Sequence, residues 1–164
     1  HINCLENVSQ KWYFQYYGSR PDLARDEIMK WGLIDRARIS GNIPRKEILP
    51  HIKSASLNVV IESVNANPSL ADKGVIPGKV YELIGLEANI LAIVPHGSAV
   101  EGILNEVGVP SFTPEDSQGI AAHILSCMNG LVINVQNKEK YSWETISRDF
   151  DSVLKNVIRT HPQA

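Results

Sequence analysis

The sequence has few cysteines, no strong charge bias and no long apolar run. Its 164 residues include 2 cysteines, Cys4 and Cys127, which lie far apart and belong to no CxxC or Cys/His cluster. The small number and wide spacing of the cysteines favour a reduced, cytosolic compartment in which neither thiol has a functional role. The formal net charge of -2 provides no long-range positive field that would attract nucleic acid or an anionic membrane. Any nucleotide must therefore be held by local contacts.

Signals for membrane insertion and export are also missing. The longest apolar stretch, LIGLEANILAIVP, is interrupted by charged and amide groups and falls short of the roughly 18 apolar residues of a transmembrane helix. The first residues, HINCLENVSQKWYF, lack a basic head followed by an apolar run and a cleavage site. We expect neither a membrane span nor export.

The composition is that of an ordinary globular protein. Hydrophobic residues make up 43% of the chain and charged residues 21%. A chain of 164 residues is long enough to bury one real hydrophobic core. We therefore predict a single domain that spans residues 1–164.

Strand and helix patterns alternate along the chain. Short aromatic or β-branched runs predict strands at residues 12–17, 36–40, 57–62, 89–94 and 109–112. Apolar residues at helical spacing predict helices at 22–32, 46–55, 77–85, within 95–108, at 116–128 and at 143–159. This alternation predicts parallel strands joined by right-handed crossovers, in a doubly wound α/β sheet. The apolar strand 57–62 is expected to lie at the centre of that sheet.

The loops that leave the strands are the places to look for a ligand. Ligands on such sheets bind beyond the carboxyl ends of the strands. The loops concerned begin at Gly18, Gly41, Glu62 and Pro95. Residues 72–78 are predicted to form a mobile loop just beyond the third of these. In the fourth, Ser98 and Glu101 have the spacing of a capping box.

The segment PGKVYELIG, residues 77–85, carries the chemistry. Lys79 and Glu82 stand three apart on a predicted first helical turn, so they share a face beside backbone N–H groups that lack a helical partner. The lysine can neutralise phosphate oxygens, and the carboxylate can accept hydrogen bonds from ribose hydroxyls. Pro77 suits the first helical position, and Gly78 lets a ligand approach the backbone. A nucleotide diphosphate fits this pattern, although on spacing alone a solvated surface ion pair is the more common explanation.

Three segments in order strengthen the nucleotide interpretation: GNIPRKEILPHIKSASLNVVIES, PGKVYELIGLEANILAIVP and YSWETISRDFDSVLKNVI. Over residues 12–158 the chain resembles the donor-binding C-terminal domain of retaining GT-B glycosyltransferases of the group 1, or family 4, type. The resemblance implies a Rossmann-like, three-layer αβα domain. It also implies binding of a UDP-, GDP- or ADP-sugar as donor for hexosyl transfer to a glycan or lipid-linked acceptor, with no further cofactor. The enzyme would be cytoplasmic and act in polysaccharide assembly, with peripheral membrane association open for its full-length form.

The resemblance also assigns roles to particular residues. Lys79 matches the lysine of a P-x-K-x-x-E motif at the diphosphate, and Glu82 matches the second of two motif glutamates, which holds the ribose hydroxyls. Three residues match a turn that contacts the nucleotide base through backbone atoms: Gly41, Asn42 and Ile43. Position after a strand, rather than the resemblance, makes three more residues candidate donor contacts: Gly18, Ser19 and His96. His96 could equally be an ordinary loop residue, and a glycine that ends a strand before a helix is what any α/β fold requires. No residue is assigned as catalytic.

Two features depart from the family pattern. The first motif glutamate should lie eight positions before Glu82, where this chain has Gly74, and Asp72 and Glu62 are nearby but out of register. The family domain also opens with another strand, a glycine-bearing loop and a helix. Residues 1–9 would be only the end of that helix. We therefore expect a fragment of a two-domain enzyme that cannot catalyse transfer alone. Its terminal helix, residues 142–160, would pack toward the missing acceptor-binding N-terminal domain.

Several other residues have simpler explanations, and two other functions stay open. Three histidines show neither metal-ligand spacing nor a triad, so no metal site is predicted: His51, His123 and His161. Three tryptophans at element boundaries are expected to pack in the core: Trp12, Trp31 and Trp143. A nucleotide-sugar epimerase has the same overall fold, but its histidine and paired-carboxylate pattern is not visible. A non-catalytic flavodoxin-like binding module would use the PGK segment only as a helix start.

Overall fold

The computed structural model describes residues 12–65 and 67–160, in which strands and helices alternate. The chain divides into two compact units, His1–Ser54 and Ala55–Ala164. The described strands are all parallel and pair as two small sheets, one of two strands and one of three. The prediction of an α/β fold with parallel strands is therefore confirmed. The predictions for residues 1–9, Cys4 and His161 lie outside the described residues.

The first unit contains a two-stranded parallel sheet. Strand β1 (Phe14–Tyr17) pairs with β2 (Ala37–Ser40) along its whole length. Helix α1 (Pro21–Lys30) and a 3-10 turn connect the strands, and α2 (Arg45–Ser54) follows β2 and continues through Pro50. None of the described residues of this unit is fully buried. Two strands and two helices are too few to enclose a core of their own.

The second unit contains the three-stranded sheet. Its strands are β3 (Asn58–Ile61), β4 (Ile90–Ile93) and β5 (Ser111–Phe112), in the order β3-β4-β5. The central position predicted for β3 is wrong, because β4 is the middle strand and β3 lies at an edge. Val59 and Ile61 of β3 are 40% and 50% exposed. An apolar, β-branched run predicts a strand but does not identify its neighbours, which are set by distant residues.

Helices cover this sheet and supply its core. They are α3 (Leu70–Gly74), α4 (Gly78–Gly85), α5 (Ala99–Glu106), α6 (Ser117–Met128) and α7 (Trp143–Thr160), with a 3-10 turn at Lys138–Tyr141. The fully buried side chains come mainly from α4, β4 and α5 and include Val80, Ile84, Ile90, Val100 and Leu104. Helical spacing thus predicted the buried face of α4 correctly, since Val80, Leu83 and Ile84 all point inward.

Helix α3 corrects the prediction of an irregular loop at residues 72–78. Ser69 caps this helix: its Oγ accepts a hydrogen bond from the Asp72 N–H at 3.1 Å, and Asp72 Oδ2 accepts one from the Ser69 N–H at 2.8 Å. The two bonds form a capping box, which the sequence Ser-Leu-Ala-Asp already encodes. Only residues 75–77 of the predicted loop lie outside a helix.

Two tryptophans also correct a prediction. Trp31 and Trp143 are 75% and 84% exposed, so neither packs in a core. Trp31 ends α1 and Trp143 is the first residue of α7, positions at which a side chain can extend past the packed face. Trp12 is half-buried and lies beneath the Arg36 guanidinium, 4.9 Å from the ring centre.

Helix α7 carries an exposed apolar stripe. Its members recur at spacings of three and four: Trp143, Ile146, Phe150, Val153, Leu154 and Val157. Charged residues occupy the opposite face, where Lys155 pairs with Asp151 at 2.5 Å. Such a helix has the pattern of one that packs against a further apolar surface. Within the described residues no helix is long and apolar enough to cross a membrane.

Candidate functional site

An open cleft lies at the carboxyl end of β3. Its volume is about 390 Å³. Residues from the end of β3 and from α3 through the α3–α4 connection line it: Ile61, Glu62, Ser63, Asp72, Val75 and Pro77. This is the edge of a parallel sheet at which α/β proteins bind ligands.

Glu62 is the unusual residue of the cleft. Its backbone N–H donates to the Ile93 carbonyl at 3.0 Å, which fixes the residue at the end of the β3–β4 pair. Its Oε2 atom is buried and has no hydrogen-bond partner among the described residues. Burial raises the pKa of Glu62, and the nearby positive charge of Lys79 offsets part of that rise. The carboxyl group therefore holds a proton more readily than an exposed glutamate does.

The first turn of α4 carries Lys79, which is near enough to this carboxyl group for its charge to act on it. Pro77 is the residue before the helix, so it stands one position earlier than predicted, and Gly78 is the first helical residue. Lys79 is exposed, and its charge acts on Glu62. Glu82 is half-buried one turn further along α4. The predicted pair thus lies on a real helix start, and Lys79 contributes to the electrostatics of the cleft.

Gly78 has no packing reason to be a glycine. A Cβ atom added there would meet nothing within 4 Å, and the residue is exposed. Its backbone therefore stays open to approach from outside, as the sequence interpretation requires.

The loop after β4 adds further polar groups on the same edge of the sheet. The capping-box prediction holds only in its first half: Ser98 Oγ accepts from the Glu101 N–H at 3.2 Å. The Glu101 carboxylate does not return to Ser98, because it accepts from the Gly97 N–H at 2.5 Å and lies 3.1 Å from His96 Nδ1. His96 is exposed, and Lys73 Nζ lies 3.8 Å from where a Cβ on Gly97 would stand. The Glu101 carboxylate therefore holds the backbone and the imidazole of this loop in place, and the Lys73 side chain of α3 lies close to the loop.

The remaining predicted residues lie in the first unit. The Gly18 N–H donates to the Ser40 carbonyl at 3.4 Å, so the loops after β1 and β2 are side by side. That contact brings the Gly18–Ser19 candidates next to the predicted base-contacting turn, Gly41, Asn42 and Ile43. Gly18 also has a packing explanation, since a Cβ there would collide with the Tyr16 ring. The candidates therefore form two groups, one in each unit: Lys79, Glu82, Gly78 and His96 in the second, and the five glycine-loop residues in the first.

The sequence indicates the loop that begins at Glu62 as a place for a ligand, but it assigns no role to the side chains of Glu62 and Ser63, which line the cleft. The available signal was position, because Glu62 and Ser63 directly follow a β-branched strand. His123 is explained by packing, with its Nε2 donating to the Ile90 carbonyl at 3.1 Å. Among the described residues, no three His, Cys, Asp or Glu side chains gather as a metal-ligand set.

Comparison with known proteins assigns no family, since no protein-family model matches this chain and no curated protein or solved structure matches it significantly. The functional argument therefore depends on the cleft and on the motif that borders it.

Proposed function

We propose that this chain is the donor-binding part of a hexosyltransferase and that it binds a nucleotide-diphospho-sugar at the carboxyl edge of the second unit. The observation that carries the proposal is the cleft at the end of β3, which Pro77 lines just before α4 and in which the charge of Lys79, on the first turn of α4, acts on Glu62. A cation, open backbone N–H groups and a carboxylate one turn on are the groups that a nucleotide diphosphate requires.

Three residues of α4 have specific parts in this proposal. Lys79 and the first N–H groups of α4 neutralise the diphosphate, which carries the developing negative charge when the bond to the sugar breaks. Glu82 accepts hydrogen bonds from the ribose hydroxyls. Gly78 lets the phosphates approach the backbone. Catalysis then consists of positioning the donor and stabilising its leaving group, with no proton transfer by Lys79 or Glu82.

The finer architecture is also part of the proposal. Asn58 and Glu62 donate their N–H groups toward β4, at 2.8 Å to Asn89 and 3.0 Å to Ile93. The alternate residues, Val59 and Ile61, therefore direct their backbone groups at the other edge of β3. Among the described strands only β4 pairs with β3. We propose that a further strand of the full-length protein pairs there, in a doubly wound, three-layer sheet.

The stripe of α7 supports the expected position of the terminal helix. Its apolar residues are 44–84% exposed. In the proposal they pack against the acceptor-binding domain, which completes the active site. The isolated chain therefore binds the donor but does not transfer the sugar.

Titration calorimetry with UDP-, GDP- and ADP-glucose tests this function. One of the three should bind, and Lys79→Met should weaken it by about 1.5–3 kcal/mol, the usual contribution of a hydrogen bond to a charged group. Glu82→Ala should weaken binding of the same ligand.

Lys53→Met and Glu115→Ala are the matched controls, since both residues are exposed and lie outside the cleft. The proposal is wrong if none of the three ligands binds, or if Lys79→Met binds as tightly as Lys53→Met.

A further inference from the structure

We propose that Glu62 is the hydrogen-bond donor of the cleft: its carboxyl group takes up a proton from solvent when the anionic ligand binds beside Lys79, and donates it to a ligand oxygen. This inference rests on the proposed function, because the ligand is the nucleotide-diphospho-sugar. It concerns a residue to which the sequence motif gives no role.

The position of Glu62 makes such a contact feasible. The β3–β4 pair fixes its backbone, and its side chain lines the cleft. One carboxyl oxygen, Oε2, is buried without a partner among the described residues. A carboxylate in that position is poorly solvated, whereas a neutral carboxylic acid costs much less to bury. The neutral group has one O–H to donate to a ligand in the open part of the cleft.

The charges around Glu62 explain why ligand binding would favour its neutral form. Lys79, on the first turn of α4, is the group whose positive charge supports the ionised state of Glu62. Asp72 lines the cleft from α3 and is occupied by its bonds to Ser69. On the loop after β4, His96 and Glu101 contact each other. A diphosphate at Lys79 would offset the supporting charge of that lysine and add negative charge nearby, so both effects raise the affinity of Glu62 for a proton.

The sign of the pH dependence follows directly. Burial already raises the pKa of Glu62, and a bound anion raises it further. At pH values between the pKa of Glu62 in the free cleft and its pKa in the occupied cleft, ligand binding consumes a proton. Affinity should therefore increase as the pH falls through this range, by up to about tenfold per pH unit. Below the pKa of Glu62 in the free cleft, the affinity for the ligand should level off.

Calorimetry of whichever nucleotide-glucose binds, in buffers of different ionisation enthalpy, measures the protons taken up. These ligands suit the purpose because their phosphates are diesters and do not titrate near neutral pH. The wild-type chain should take up a fraction of a proton that approaches one within this range. Glu62→Gln should bind with no uptake and with a flat pH profile, because its amide donates without a proton from solvent. Glu115→Gln, an exposed acidic control, should behave like the wild type.

The outcomes separate the two proposals. Binding without proton uptake by the wild-type chain would overturn the role of Glu62 and leave the proposed function standing. Equal uptake by the wild type and Glu62→Gln would also overturn it. Failure of every nucleotide-glucose to bind would overturn the proposed function and this inference together. If the Glu62→Gln chain does not fold, a wild-type chain that binds without taking up a proton still overturns the role of Glu62.

Discussion

Asn89 joins three segments of the second unit through one side chain. Its Nδ2 donates to the Ser56 carbonyl at 3.1 Å and to the Leu131 carbonyl at 3.2 Å, and its Oδ1 accepts from the Ile133 N–H at 2.8 Å. The residue immediately precedes β4, the most buried strand. It therefore fixes the segment after α6 to the end of the sheet opposite the cleft.

Replacing this amide should destabilise the second unit. Asn89→Ala removes three hydrogen bonds and leaves backbone groups unpaired, so the free energy of unfolding should fall by about 2–4 kcal/mol. Urea unfolding measures the change. Asn105→Ala, an exposed position on α5, should stay within about 0.5 kcal/mol of the wild type. A loss at Asn89 no larger than at Asn105 would show that these bonds contribute little.

At this scale the sequence predicted local structure better than contacts between distant residues. The P-x-K-x-x-E spacing identified Lys79 and a true helix start, because local spacing determines which residues share a helical turn. The raised pKa of Glu62 arises from burial in the folded chain, where the cleft that it lines also includes residues ten or more positions later, among them Asp72 and Val75. No local pattern records that burial.

Among the elements, α5 and the 3-10 turn at Lys138–Tyr141 are linked by Glu106. Its carboxylate accepts a hydrogen bond from the Tyr141 hydroxyl at 2.6 Å and pairs with Lys140. Burial, followed by the contact with Glu106, raises the pKa of Tyr141 to about 12. The hydrogen bonds from Lys140 and Tyr141 lower the pKa of Glu106. The link therefore contributes stability above the pKa of an unfolded glutamate and loses it as the pH falls through the lowered pKa.

Removing the carboxylate tests this link. In Glu106→Gln, Tyr141 should ionise at a lower pH than the value of about 12 in the wild type, because the charge that opposes phenolate formation is gone. NMR titration of labelled tyrosine measures the shift. Glu139→Gln, an exposed substitution on the same turn, serves as the control and should leave Tyr141 unchanged. An unchanged pKa in Glu106→Gln would contradict the contact.

Element boundaries were predictable where a residue type has a local rule. The helices beginning near Asp116 and Trp143 were predicted within one residue, because Asp116 caps α6 through the Gly119 N–H at 2.9 Å. Helix α3 was missed although Ser69 and Asp72 form a capping box, since the surrounding Asn, Pro and Gly residues indicated a loop. The return bond of Glu101 could not be predicted, because it depends on how Gly97 turns, at a φ of +72°.

For the whole molecule, the sequence predicted the class of fold but not the order of its strands. Alternating strands and helices are enough to predict parallel pairing. The position of β3 at an edge depends on which other strand approaches it, and that is a long-range property. The stripe of α7 was detectable in the sequence as helical periodicity, but its exposure became visible only in the structure.

The proposed role of α7 predicts different effects in the present chain and in a full-length chain that carries the proposed acceptor-binding domain. Phe150→Asp should change the unfolding free energy of the present chain by no more than about 0.5 kcal/mol, because Phe150 is 63% exposed. In the full-length protein the same change should cost several times as much, since it would bury an unpaired charge. Urea unfolding of both chains measures this difference.

Ser152→Asp adds the same charge on the opposite face of α7, so it is the control for the effect of the added charge alone. Its effect should be small in both chains. Equal effects of Phe150→Asp in the two chains would mean that the full-length protein leaves the stripe uncovered.

The edge of β3 that does not pair with β4 also affects the tendency of the protein to aggregate. Its sequence, NVVI, contains no charged residue of the kind that discourages pairing between molecules. With Val59 and Ile61 exposed beside open backbone groups, this strand is the place where two copies would join edge to edge. A strand that covers it would therefore guard the protein against aggregation as well as complete the sheet.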